Sequence, residues 1–176
     1  MSRILRRRAA LVVLLVVVGT LMSGAIALAV SSSGAAGTVT RIYANGSDDA
    51  SVTNSTTFVA VPGASRAVNV PQGETALVVA RFTAESQCSG GPAGNWCSVR
   101  IMANGTEMSP ASGLDFAFDT VSASEDFYES HAVERFIVLN AGTTTITVQR
   151  AVTNALTNFR LDDYSLIIER AQRTAT

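Results

Sequence analysis

The stretch ALVVARFTAES (residues 76–86) alternates strictly. Val78, Ala80, Phe82 and Ala84 share one side of an extended chain, and Arg81, Thr83 and Glu85 share the other. Successive side chains of a β-strand point to opposite faces, so this period of two demands a strand buried on one face and wetted on the other. CSVRIMANG (97–105) repeats the pattern, with Cys97, Val99, Ile101 and Ala103 inward and Ser98, Arg100, Met102 and Asn104 outward. TTITVQRAV (144–152) buries Ile146 and Val148 in the same way. Asn104-Gly105 suits a type I′ hairpin, which needs φ > 0 at both central positions. Asn45-Gly46, Pro62-Gly63, Gln72-Gly73 and Ala141-Gly142 add further turn signals. No segment carries a helical stripe; SASEDFYESHAVE (122–134) comes nearest, with room for one short turn of helix. The pattern predicts an all-β fold, a two-sheet antiparallel sandwich.

The last strand breaks its own rhythm. In NFRLDDYSLIIER (158–170), Phe159 and Leu161 are apolar at odd positions, whereas Tyr164, Leu166 and Ile168 are apolar at even ones. A regular strand cannot send both sets into one core. One extra residue at Asp162-Asp163 restores the parity, which predicts a β-bulge or sharp bend there.

The chain opens as a targeting segment. Arg3, Arg6, Arg7 and Arg8 precede 22 uncharged residues, Ala9–Val30, centred on LVVLLVVV and ending in small residues with A-x-A patterns at Ala25–Ala27 and Ala27–Ala29. Residues 1–29 therefore read as a signal peptide, a hydrophobic helix cleaved after Ala27 or Ala29. The alternative is an uncleaved membrane anchor, since 22 residues just suffice to span a bilayer. A flexible small-residue lead-in (30–37), one β-domain (38–171) and a short polar tail (172–176) follow. Without the leader, nine arginines stand against fourteen acids, nine minus fourteen or −5, which leaves no electrostatic footprint for nucleic acid. Every basic residue is arginine, a bias that points to a GC-rich bacterial genome.

Export gives the two cysteines their meaning. In an oxidising compartment Cys88 and Cys97 have only each other as intramolecular partners, and Gly90, Gly91, Pro92 and Gly94 between them suit a tight reversal. Closing so short a loop contributes roughly 2–3 kcal/mol in the chain-entropy account. There is no C-x-x-C and no helix N-terminus to activate a thiol, so a redox role is disfavoured. Trp96 has the opposite parity from Val99; it is expected partly exposed or against the bridge, where it is a candidate ligand contact through stacking on a sugar ring.

Catalytic signals are sparse. His131 is the single histidine, no G-x-S-x-G elbow occurs, and the cysteine spacing does not match a zinc site. The acids Glu85, Glu107, Asp115, Asp119, Glu125, Asp126, Glu129 and Glu134 show no spacing that selects a glycosidase pair. His131 reads as a polar residue at a strand entry. In the 109–131 connection, LDFAFDT reads as another strand burying Leu114, Phe116 and Phe118, with Glu125–Ser130 exposed. No catalytic residue, cofactor or metal is expected from these patterns.

Three stretches resemble tumour-necrosis-factor-like jelly rolls of bacterial and phage secreted or surface proteins: STTFVAVPGASRAVNVPQGETALVVARFTAES, CSVRIMANGTEMSP and FIVLNAGTTTITVQRAV. That resemblance, over residues 55 to 170, implies a two-sheet jelly roll, often a homotrimer, used for binding or display. LNAGTTTITV followed by FRLDDYSLII is also similar to the closing strands of calcium-containing carbohydrate-binding modules, which nominates Asp162 or Asp163 as an oxygen ligand. Two adjacent acids supply few of the six to eight oxygens such an ion takes, so a solvated bulge is the preferred reading. The expected protein is a secreted, non-enzymatic β-sandwich that binds an extracellular protein or glycan or joins an exported assembly. A carbohydrate-binding module and an extracellular glycosidase are the alternatives.

Overall fold

A computed structural model describes residues 38–122 and 127–173. The leader, the 30–37 lead-in, Glu125, Asp126 and the last three residues of the tail lie outside the described residues. Eight antiparallel strands account for most of the rest: β1 (Val39–Ser47), β2 (Ser51–Thr53), β3 (Val59–Ser89), β4 (Trp96–Ala103), β5 (Thr106–Glu107), β6 (Asp119–Thr120), β7 (Glu129–Val152) and β8 (Asn158–Arg173). They pair in the order β1-β8-β3-β7-β4-β5, with β2 beside β8 and β6 beside β4. Among the described residues no helix is long and apolar enough to cross a membrane. One 3₁₀ turn, Gly113–Asp115, stands where a strand was expected.

β3 and β7 are long enough to serve two groups of neighbours. Residues 75–86 of β3 lie between β8 and residues 129–140 of β7, whereas residues 146–150 of β7 lie between the early part of β3 and β4. The change falls where the register between β3 and β7 breaks, from Val70↔Gly142 to Thr75↔Asn140. Gly73 (φ 79°) and Gly142 (φ 129°) take backbone angles that side chains disfavour, and Pro71 has no N–H to lose from a ladder. Gln72-Gly73, Ala141-Gly142 and Pro62-Gly63 are therefore interruptions inside long strands and not chain reversals. Asn45-Gly46 is likewise paired within β1. Of the five dipeptides only Asn104-Gly105 closes a hairpin, with φ of 45° and 87°.

Both parts of the sheet bury their apolar phase in one cluster, which makes the fold sandwich-like. Val68, Val99, Ile101, Ile146 and Val148 come from one part, and Val78, Phe82, Phe159, Leu166 and Ile168 from the other. The alternating phases of 76–84 and 97–103 are buried as read, with Val78, Ala80, Phe82, Val99 and Ile101 fully enclosed. Ser98 and Met102, expected outward, are buried too. For Ser98 the cause is the 3₁₀ turn laid over it, since its Oγ donates to the Leu114 carbonyl at 3.0 Å.

The bulge in β8 is present. Thr83 pairs with Ser165 and Glu85 with Asp162, so Asp163 and Tyr164 together oppose Ala84. Asp163 takes a left-handed φ of 43° and is exposed. The extra residue lets Phe159, Leu161, Tyr164, Leu166 and Ile168 all face the core.

Candidate functional site at the disulfide end

The inward phase of β3 does not stop at Ala84. It continues through Ser86 to Cys88, near the end of the strand. Glu129 of β7 lies opposite Ser86 and His131 opposite Ala84, which puts both on the same face. β6 adds Asp119 opposite Cys97 of β4. Cys88 and Cys97 are joined with Cα atoms 5.9 Å apart, tying β3 to β4 beside these polar groups as the sequence predicts. Replacing both cysteines by serine, or reducing the disulfide, is expected to lower stability by about 2–3 kcal/mol, measured as a shift in urea midpoint. A mass gain on alkylation only after reduction would confirm the bridge in solution.

Above an aromatic floor in which the Phe118 ring lies 5.5 Å from the His131 ring, four polar side chains meet. Ser86, wholly buried, donates its hydroxyl to Asp119 Oδ2 at 2.7 Å, and its Oγ lies 2.9 Å from His131 Nδ1. Asp119 Oδ1 accepts the Thr120 N–H at 2.6 Å. Glu129 Oε2 lies 3.4 Å from His131 Nε2. Beside them is a cavity of about 120 Å³ lined by Cys88, Asp119, Thr120, Ser122, Phe127 and Glu129. A larger, open groove of about 670 Å³ runs past Asn45, Gly63 and Tyr164. There the Asn45 amide donates to the carbonyls of Gly63 and Ser65, and the Tyr164 hydroxyl to that of Pro62.

Trp96 is half-buried, and its indole N–H donates to the Leu114 carbonyl at 2.6 Å. The same carbonyl accepts from Ser98, so the 3₁₀ turn is clamped onto β4. The Glu107 carboxylate holds that turn from the other side by accepting the N–H groups of Ser112 and Gly113. These bonds explain why LDFAFDT begins in a 3₁₀ turn and is a strand only at its end, Asp119–Thr120 of β6. Phe118 is buried and Phe116 partly so, but Leu114 is 38 % exposed. Phe127, Tyr128 and Leu156 are also exposed at this end. Phe127 lines the cavity, Tyr128 lies against the Arg160 guanidinium, and Leu156 follows the loop at Gly90.

No family model matches the chain, and no curated protein matches it. Among solved structures the chain is similar to the crystal structure of dimeric latent PorU from Porphyromonas gingivalis, at a TM-score of 0.35 and 11 % identity. The likeness covers 80 % of this chain and 13 % of that one.

The remaining candidate residues are dispersed. Asp162, a calcium candidate, accepts from Arg160 Nη2 at 2.5 Å and from the Asp163 N–H, and Asp163 projects at the bulge. Glu134 pairs with Arg81 at 2.6 Å, Asp115 sits in the 3₁₀ turn, and Glu85 pairs across the sheet with Asp162. Among the described residues, only Asp119 and Glu129 of the acids considered converge with His131. Sequence reading passed over Ser86, although a signal was there: it is the next inward position after Ala84, where a buried hydroxyl needs partners.

Proposed function

We propose that this protein is an exported, non-enzymatic β-sandwich of jelly-roll type, akin to the tumour-necrosis-factor-like domains, which binds a protein partner outside the cell through its disulfide end. The observation that carries this reading is the group of exposed apolar side chains there: Leu114 at 38 %, Phe127 at 60 %, Tyr128 at 49 % and Leu156 at 72 %. They stand on connections between strands that the disulfide and the clamped 3₁₀ turn brace, and apolar groups on loops of a rigid scaffold suit a binding surface. The disulfide is compatible with an extracellular location. Against small-molecule turnover at the disulfide end, the cavity there, about 120 Å³, is far below the roughly 300–1,000 Å³ of ordinary ligand pockets, and the Ser86 hydroxyl is wholly buried.

A photo-crosslinking residue at Phe127, introduced into the full chain in a producing bacterium, is expected to give a discrete adduct that Tyr128→Asp abolishes. The same probe at Val138, on the exposed face of β7, is expected to give none. Adducts of this chain with itself, with light scattering at three times the monomer mass, would specify a homotrimer. No adduct, or equal adducts from both positions, would contradict the reading. Glycan-array binding lost on Trp96→Ala would move it to a carbohydrate-binding module.

A further inference from the structure

We infer that Asp119, Glu129 and His131 form a binding site for one divalent transition-metal ion of the Zn²⁺ class. The inference stands independently of the partner-binding reading. Each of the three side chains offers a ligand atom within 4.8 Å of the other two. That distance alone describes many surface clusters; the hydrogen bonding around Ser86 goes further.

A serine hydroxyl has one proton, and Ser86 gives it to the Asp119 carboxylate, which can only accept. The contact between Ser86 Oγ and His131 Nδ1 therefore has the imidazole as donor. With Nδ1 protonated, the neutral ring carries its lone pair on Nε2. That nitrogen lies 3.4 Å from Glu129 Oε2, so two electron-rich atoms are neighbours. A metal ion between them would take a lone pair from each. An imidazole whose other N–H is held by a fixed acceptor, itself bonded to a second ligand, is the arrangement that orients histidine for a metal. Ser86 thus positions two of the three ligands through one buried oxygen.

The site also has access and room. The Glu129 side chain is 61 % exposed and that of His131 29 %, while the adjoining cavity of about 120 Å³ has space for the ion and a few waters at roughly 30 Å³ each. Both oxygens of Asp119 already accept one bond, yet a carboxylate has about four acceptor positions. One imidazole and two carboxylates make a mixed N/O set suited to a borderline ion, with water completing the coordination. Ca²⁺ takes six to eight oxygens, more than two carboxylates supply, and an imidazole nitrogen does not suit Mg²⁺. Thiolate ligation does not enter, because both cysteines are in the disulfide.

The test uses the tag-free full chain stripped with chelator and titrated calorimetrically with ZnCl₂. One equivalent is expected to bind and to raise the melting temperature, with CaCl₂ doing neither. Glu129→Gln and His131→Ala should each weaken binding ten-fold or more; Glu129→Gln, at an exposed position, should melt like the parent in chelator. His131 is the only histidine, so its ¹⁵N imidazole signals report without overlap, and Zn²⁺ should move Nε2 while Nδ1 keeps its proton. Absence of Zn²⁺ binding, affinity unchanged in both variants, or a ring protonated on both nitrogens and indifferent to Zn²⁺ would overturn the inference.

Discussion

Deleting Asp163 is expected to leave no cooperatively folded domain, although the residue is exposed. Its backbone is what matters. Removing it makes β8 regular, and a regular strand cannot bury Phe159 and Leu161 together with Tyr164, Leu166 and Ile168. Keeping the first pair inward turns three large side chains to water, at about 1.5–3 kcal/mol each. Keeping the second group inward exposes Phe159 and Leu161 and misaligns the strand against Ser86 and Cys88, their neighbours on β3. Either cost, about 3–9 kcal/mol, takes most of the roughly 5–15 kcal/mol by which small domains are stable. Asp163→Gly is the contrasting variant: glycine adopts a φ of 43° freely, so this change should be neutral or slightly stabilising. Circular dichroism and urea unfolding distinguish the two. A deletion mutant that unfolds within about 1 kcal/mol of the parent would show that β8 does not depend on the bulge.

Phe82→Ala is expected to cost about 3–5 kcal/mol, the usual penalty for emptying a fully buried phenylalanine site. The ring is wholly enclosed and sits between Tyr164 and Phe118, at centroid distances of 5.6 and 6.1 Å. It is therefore where β3, the bulge of β8 and the approach to β6 meet, and its neighbours cannot all close over the void. The urea midpoint should fall sharply with little change in m-value. Val138→Ala, at a position 36 % exposed on β7, should stay within about 0.5 kcal/mol of the parent. Similar losses from both changes would mean that the core is not centred on Phe82.

Different parts of the fold were legible to different degrees. The inward phases at 78–84 and 97–103 were readable because alternation is local and a strand has only two faces. Turn dipeptides were poorer guides. Gln72-Gly73 and Ala141-Gly142 supply the same left-handed or strained backbone whether the chain reverses or a long strand is interrupted. Only the pairing partner decides between those outcomes. LDFAFDT alternates well enough for a strand throughout, yet Glu107 and Trp96, neither of them in the segment, hold its start in a 3₁₀ turn and leave only Asp119–Thr120 as strand.

By itself, the sequence determined the all-β class, the two-faced strands, the parity break that requires a bulge at Asp162-Asp163, and the one disulfide two cysteines can form. Each follows from near neighbours or from having a single partner to choose. Tertiary structure alone decided which polar groups meet. Ser86 reaches Asp119 across 33 positions and His131 across 45, and nothing in a period of two says which strand lies beside which. That choice rests on how the two parts of the sheet fold over one core, where the apolar phases pack and the polar ends of β3, β6 and β7 are left together at the rim.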